Sequence, residues 1–232
     1  MSTALRAPAP PVGPPTFSRH RLRLAGVLVP AAVRSALPAS PRRRQRALTC
    51  TAARVLTALD VRVEVHAPAV AWPRPGVGRL VVANRVSPLD DLALATVVRG
   101  AVGVGTWPTA NRDRLRSGAG TARLLRDGET VVGHPEGTTT GTQLGRFGPE
   151  LFEAAVDADA RVCPVAVHWR TDPLVVEVHM LPALAPGGAD SGTLAALAEY
   201  AIAGVLEARA GAPLPQRAAA SAVRSDAARP SL

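Results

Sequence analysis

The sequence contains no lysine, and all 27 of its basic residues are arginine. Aromatic residues make up only 3% of the 232 residues, so alanine, valine and leucine must fill the core of a chain that is 47% hydrophobic. The two cysteines, Cys50 and Cys163, have no neighbours at the spacing of metal ligands. We therefore predict free thiols in a reducing compartment and no metal site. The length suffices for one α/β domain with a substantial core.

Long apolar runs are also missing. The best candidate for a membrane span, residues 24–37, is shorter than the roughly 20 residues that a bilayer requires, and Pro30 and Arg34 interrupt it. The first residues are rich in proline and do not resemble a signal peptide. We therefore predict a cytoplasmic protein that lies peripherally on the inner face of the membrane.

The excess positive charge is concentrated near the start of the chain. Residues 1–60 contain ten arginines and one acid, for a net charge of +9, whereas residues 61–232 contain 17 of each. Such an arm can contact anionic lipid headgroups or nucleic acid, or it can be a solvated tail. Stacking aromatics and recognition motifs do not accompany the arginines, so we expect no nucleic acid. An anionic membrane contacted through residues 19–46 and a solvated basic tail remain open.

Composition and periodicity divide the chain into four parts. We predict a disordered Pro- and Ala-rich start over 1–18, a basic segment on a membrane surface over 19–44, one folded domain over 45–209 and a disordered tail over 210–232. Within the domain, short apolar strands alternate with helices. This alternation favours an α/β sandwich with a mostly parallel central sheet flanked by helices.

Capping residues mark several helix starts. Ser87 is followed by Pro88 at the first helical position and by Asp90 three residues after the cap, which is the order of a capping box. Ser191 is the predicted cap of the last helix. The predicted helices are 45–59, 87–98, 121–126, 149–158 and 193–208, and the predicted strands are 61–65, 80–83, 130–133, 162–169 and 174–181.

Two motifs carry most of the chemical information. The first, VVANRVSPLD, contains Asn84-Arg85 after an apolar strand and Asp90 after four further residues. The second, GHPEGTTTG, follows a later strand, and an apolar strand around Pro164 comes after it. In this order, with helices between them, these segments resemble the lysophospholipid (1-acylglycerol-3-phosphate) acyltransferase family, whose motifs are Asn-His-x4-Asp and Pro-Glu-Gly-Thr. The resemblance covers about residues 46–182 and implies the family's glycerolipid-acyltransferase fold.

The resemblance implies transfer of a fatty acyl group from acyl-CoA or acyl carrier protein to a lysophospholipid hydroxyl, without a further cofactor. In the family a neutral histidine takes the hydroxyl proton, and the motif aspartate, here Asp90, orients the imidazole. The implied acceptors are lysophosphatidic acid or a lyso-ornithine lipid. By the same resemblance, the residues that would hold the acceptor are Asn84, Arg112 (with Arg114 as the alternative), Glu136, Gly137 and Thr138.

One position departs from the family motif. Arg85 stands where the family has its histidine, and a guanidinium that stays protonated cannot act as a general base. We expect Arg85 to pair with Asp90 as a structural salt bridge, and His134 is the candidate replacement base because it adjoins the PEGT turn. Asp90 also has a structural explanation as an acid at a helix start. The candidate catalytic positions are therefore Asp90, Arg85 and His134.

Three functions compete at this point. The first is an active acyltransferase that uses His134 or water in place of the motif histidine. The second is a catalytically impaired pseudoenzyme that binds lipid or a partner. The third, nucleic-acid binding through the basic arm, has the least support. The chain lacks the GxSxG, GK[ST] and HExxH motifs, so the sequence does not indicate an α/β-hydrolase, a P-loop NTPase or a zinc protease.

Overall fold

The computed structural model describes residues 41–74, 76–98, 100–102, 118–136 and 144–210. The parts predicted before residue 41 and after residue 210 lie outside the described residues. Four of the candidate acceptor-binding residues lie outside them too: Arg112, Arg114, Gly137 and Thr138. No helix within the described ranges combines the length and the apolar character needed to cross a bilayer.

Five helices and six strands alternate along the described residues. The strands and helices predicted from periodicity are confirmed to within four residues at each end, and a two-residue strand is added that the sequence did not predict. The elements are α1 Pro41–Ala58, β1 Arg62–His66, β2 Arg79–Ala83, α2 Asp90–Val97, β3 Ala101–Val102, α3 Gly118–Arg126, β4 Thr130–Gly133, α4 Glu150–Asp157, β5 Arg161–Thr171, β6 Leu174–Met180 and α5 Ser191–Ala210.

The strands form one sheet in the order β1-β6-β5-β2-β4-β3. The four strands from β5 to β3 are mutually parallel, β5 pairs antiparallel with β6, and β1 pairs parallel with β6. The predicted α/β fold with a mostly parallel central sheet is confirmed. Because neighbouring parallel strands end at the same edge of a sheet, the residues that follow β2 and β4 meet there.

Apolar side chains cover both faces of the sheet. Val81 packs with α1 and α2 on one face, whereas Leu80 and Val82 pack with α3, α4 and α5 on the other. Phe152, in α4, is fully buried in the second cluster. A strand that is buried on both faces has a continuous apolar sequence and not an alternation of apolar and polar residues. This explains the LVVA sequence of β2.

Gly78 lies just before β2, where the chain passes the end of α3. A Cβ atom at this position would lie 1.9 Å from the carbonyl oxygen of Leu125, so the two backbone segments would have to separate. We expect Gly78→Ala to lower the free energy of unfolding by about 1–3 kcal/mol, measured by urea denaturation. The control is Gly204→Ala in α5, where an added Cβ has no atom within 4 Å. Equal losses in both variants would contradict the role of the close approach.

Candidate active site

The two sequence motifs meet at the carboxyl ends of β2 and β4. In the parallel pairing of these strands, Val82 lies opposite Gly133, so the residues just after each strand are neighbours. Helix α2 starts beside them with two buried acids, Asp90 and Asp91. The structure thereby brings together all five of the predicted site residues that lie in its described part: Asn84, Arg85, Asp90, His134 and Glu136.

Asn84 extends the pairing between β2 and β5. Its side chain is buried, donates a hydrogen bond to the carbonyl oxygen of Val167 at 2.9 Å and accepts one from the Val167 backbone N–H at 2.7 Å. The amide thus replaces the next backbone pair of the ladder, which is a structural role. The predicted contact of Asn84 with an acceptor stays a prediction.

Asp90 closes the turn that leads into α2. Its carboxylate accepts hydrogen bonds from the backbone N–H groups of Val86 at 2.6 Å and Ser87 at 2.7 Å, and from the indole N–H of Trp169 at 2.7 Å. Ser87 Oγ accepts from the backbone N–H of Leu89 and not of Asp90, so only the Asp90 half of the predicted capping box forms, and α2 starts at Asp90. Burial raises the pKa of Asp90, and the three hydrogen bonds oppose that rise.

Arg85 pairs with a different acid from the one that we expected. Its guanidinium lies 3.9 Å from the Asp91 carboxylate, and the predicted ion pair with Asp90 is wrong. The Asp90 oxygens instead accept hydrogen bonds from the backbone of the turn and from Trp169. Asp91, one position further along α2, faces Arg85. The Arg85 side chain is 34% exposed and that of Asp91 only 4%, so the guanidinium lies between a buried acid and solvent.

His134 is held at both ring nitrogens. Nδ1 lies 2.9 Å from the carbonyl oxygen of Ala83, and Nε2 lies 2.8 Å from Oδ1 of Asp91. A carbonyl oxygen can only accept, so Nδ1 carries a proton, and a second proton must lie between Nε2 and the carboxylate. Burial works to lower the pKa of His134, but the hydrogen bond and the charge of Asp91 outweigh it and raise the pKa.

This geometry determines what His134 can do. Nδ1 carries a proton, and the lone pair of Nε2 is occupied by the proton that it shares with Asp91, so neither nitrogen has a free lone pair with which to take a proton. The imidazole is also only 7% exposed, which keeps it away from an acceptor hydroxyl. His134 would have to release Asp91 before it could act as the replacement base. In the observed arrangement it forms a buried ion pair that ties the end of β4 to α2.

Glu136 is enclosed by the segment that returns after the second motif. Glu136 and Phe147 form an isolated antiparallel bridge, and the Glu136 carboxylate accepts from the backbone N–H groups of Arg85, at 3.3 Å, and of Gly145. Burial raises the pKa of this carboxyl group despite those bonds. The side chain therefore connects three backbone segments, and its predicted contact with an acceptor stays a prediction.

The motifs did not identify two participants in this site. Asp91 lies one position after the aspartate of the family pattern, and the Asp90-Asp91 doublet is the sequence signal that indicates it. Trp169 reaches Asp90 from β5, and nothing in the sequence relates the two positions.

Fold and site together define an α/β protein with a cluster of acids, an imidazole and an arginine at the carboxyl edge of a parallel sheet. This is the edge at which α/β proteins bind small molecules. No protein-family model matches the chain.

In sequence the chain is similar to known acyltransferases. It is 31% identical over 152 residues to the 1-acyl-sn-glycerol-3-phosphate acyltransferase of Neisseria gonorrhoeae and 32% identical over 152 residues to that of Neisseria meningitidis serogroup B, with 56% of this chain and 58% of each relative covered. It is also 32% identical over 145 residues to the lyso-ornithine lipid O-acyltransferase of Pseudomonas aeruginosa, with 56% of each chain covered.

In structure the chain is similar to the crystallised 1-acyl-sn-glycerophosphate acyltransferase PlsC of Thermotoga maritima. The TM-score is 0.63 at 17% identity, over 85% of this chain and 94% of that one, and at this identity the likeness shows the fold alone. The structural likeness confirms the predicted fold, and the sequence relatives support the predicted resemblance to the lysophospholipid acyltransferase family. The chain spans less than three fifths of the length of the curated relatives that it matches.

Proposed function

We propose that this protein binds a lysophospholipid-type molecule at the β2–β4 edge and transfers acyl groups to it only slowly, because the site holds no free base. The observation that carries the proposal is the engagement of both ring nitrogens of His134. By the motif resemblance, Arg85 takes the position of the family histidine, and a guanidinium cannot replace it as a base.

The kind of ligand is supported by the relatives and by the partly exposed guanidinium of Arg85. The relatives are named for acylglycerol phosphate and lyso-ornithine lipid as acceptors, which carry a phosphate and a carboxylate. Arg85 has five N–H donors, and within the described residues its guanidinium has one ion pair, at a long 3.9 Å. Arginine binds both anions in a bidentate manner, so Arg85 fits a headgroup-binding role at the position where the family has its base.

The acyl donor and the membrane contact belong to the same proposal. The donor would be acyl-CoA or acyl carrier protein, as the family resemblance implies. The basic arm over residues 19–46 would bring the site to an anionic lipid surface.

Binding and turnover are measured separately to test this function. The purified chain is offered vesicles of neutral lipid with and without lysophosphatidic acid, and transfer of a labelled acyl group from oleoyl-CoA is followed on the same samples. We expect the chain to bind the vesicles that contain lysophosphatidic acid, Arg85→Gln to bind them more weakly, and turnover to be slow. Absence of binding by the wild-type chain would contradict the lipid assignment.

The role of His134 is tested by His134→Gln. Glutamine keeps a hydrogen-bond donor for Asp91 and cannot act as a base, so we expect the acyl-transfer rate to remain at the wild-type level. If His134 were the base, its loss would reduce the rate by about 10²–10⁴-fold. Circular dichroism at the assay temperature verifies that the variant is folded.

A further inference from the structure

Three polar side chains meet at the end of the sheet that carries its edge strand β1. The register of β1 on β6 places His66 directly opposite His179. Glu177 lies two residues before His179 in β6, so the two point to the same side of the strand. The intervening Val178 packs in the core cluster with α1 and α2. The three side chains therefore lie on the other face of the sheet, away from the His134–Asp91 pair.

The three side chains have the separations of a metal-ligand set. One ligand atom from each of His66, Glu177 and His179 lies within 4.8 Å of the others, and His179 Nε2 is 3.2 Å from a Glu177 oxygen. Two ligands of a tetrahedral zinc ion, each bonded at about 2.0–2.1 Å, lie about 3.3 Å apart. The two imidazole rings are stacked, with centroids 4.2 Å apart and planes 4° apart, so a modest rotation of the exposed His66 ring would turn both towards one ion.

A third imidazole adjoins the same carboxylate. His168 pairs with Glu177 across the β5–β6 ladder, and its Nδ1 lies 3.8 Å from the Glu177 oxygen that His179 contacts. This nitrogen is buried and has no hydrogen-bond partner within the part of the chain that the structure describes. Buried polar atoms without partners are rare. His168 Nδ1 could therefore supply a further metal-ligand atom beside the three side chains.

Two arginines also form ion pairs with Glu177. Arg170 Nε lies 2.9 Å from one carboxylate oxygen, and Arg209 Nε lies 3.4 Å from the other. Arg209 is in the last turn of α5 and its side chain is 37% exposed, so it can turn into solvent when a cation takes its place.

We propose that His66, Glu177 and His179 form a binding site for a divalent transition metal of the zinc type, with His168 as an adjacent fourth donor. Two imidazoles and a carboxylate are a ligand set that zinc accepts. The ion would join the edge strand β1 to β6, so its binding would stabilise the folded chain. The sequence predicted no metal site because strand pairing, and not a local motif, brings these residues together.

The full chain, stripped of metal with a chelator, is titrated with Co²⁺ as a spectroscopic probe and then with Zn²⁺ as a competitor. We expect one equivalent of Co²⁺ to bind with a visible absorption band, Zn²⁺ to displace it, and Zn²⁺ to raise the melting temperature. His66→Ala should reduce the affinity at least about tenfold, since changes even behind the ligand shell typically cost 10–100-fold, and should remove the rise in melting temperature. His66 is exposed at a strand end, so this variant should stay folded.

Cys50→Ser is the control, because Cys50 is an exposed thiol that can bind metals adventitiously. It should leave Co²⁺ binding unchanged. The metal site is disproved if the wild-type chain binds no Co²⁺, if binding disappears with Cys50→Ser, or if His66→Ala and His179→Gln both retain wild-type affinity. None of these outcomes depends on acyltransferase activity.

Discussion

Replacing Arg85 with histidine should raise the rate of acyl transfer by about 10²–10⁴-fold, the usual contribution of a positioned general base. Arg85 faces Asp91, so the gain requires the shorter histidine side chain to reach Asp90 instead, the aspartate that the family motif uses to orient its imidazole. The Asp90 carboxylate accepts three hydrogen bonds, from Val86, Ser87 and Trp169. A carboxylate offers about four acceptor sites, so one remains for an imidazole N–H.

Arg85→Gln is the matched control for this gain. It removes the same positive charge without supplying a base, so its rate should remain at the wild-type level. An equal rise in the glutamine and histidine variants would show that the arginine charge, and not the lack of a base, limits the reaction. Both variants should bind the anionic headgroup more weakly, because both lose the bidentate guanidinium.

His134→Ala should lower the free energy of unfolding by about 1.5–3 kcal/mol, because the buried carboxylate of Asp91 loses a charge-assisted hydrogen bond although it keeps the Arg85 guanidinium at 3.9 Å. The loss is measured by urea denaturation at pH 6. His134→Gln, which can still donate one hydrogen bond to Asp91, should lose less. A loss of under about 1 kcal/mol in the alanine variant, the value typical of an exposed pair, would contradict the buried ion pair.

The stability that His134 supplies should also depend on pH. Its pKa is raised in the folded chain, because the hydrogen bond and the charge of Asp91 outweigh the effect of burial. A group of this kind contributes its full stability below the unfolded pKa of about 6.5 and loses it as the pH rises through the folded pKa. The difference in unfolding free energy between the wild-type chain and His134→Gln should therefore shrink from pH 6 to pH 9. A difference that grows over this range would contradict the ion pair.

Local signals in the sequence predicted the elements but not how they pair. Apolar runs and capping residues located the strands and helices, and Asp90 accepts the Ser87 backbone N–H as a capping box requires, although the Ser87 hydroxyl bonds Leu89 and α2 starts at Asp90. The cap of α5 was assigned to Ser191, but Asp190 accepts the backbone N–H of Thr193 instead. Both residue types are good caps, and the sequence alone did not decide between neighbours. The antiparallel turn from β5 to β6 was not predicted either, because strand order depends on contacts between distant segments.

The sequence predicted where the candidate site lies but not which of its charged side chains pair with one another. The motifs placed Arg85, Asp90 and His134 at one edge of the sheet, since the ends of parallel strands meet there. Which acid faces Arg85 and His134 depends on the rotation of α2, where adjacent residues differ in direction by about 100°. Packing of the helix on the sheet turns Asp91 towards them and leaves Asp90 under the preceding turn.

The central claim is that the site holds His134 as a doubly protonated ring and so lacks a free base. Nitrogen NMR of a chain labelled at its histidine rings tests this claim directly, with His134→Gln used to assign the signals. The ion pair with Asp91 predicts that both ring nitrogens of His134 carry protons at pH 7 and that the ring titrates above the ordinary value of about 6.5. A neutral ring at pH 7 with one unprotonated nitrogen would contradict the account and restore His134 as a candidate base.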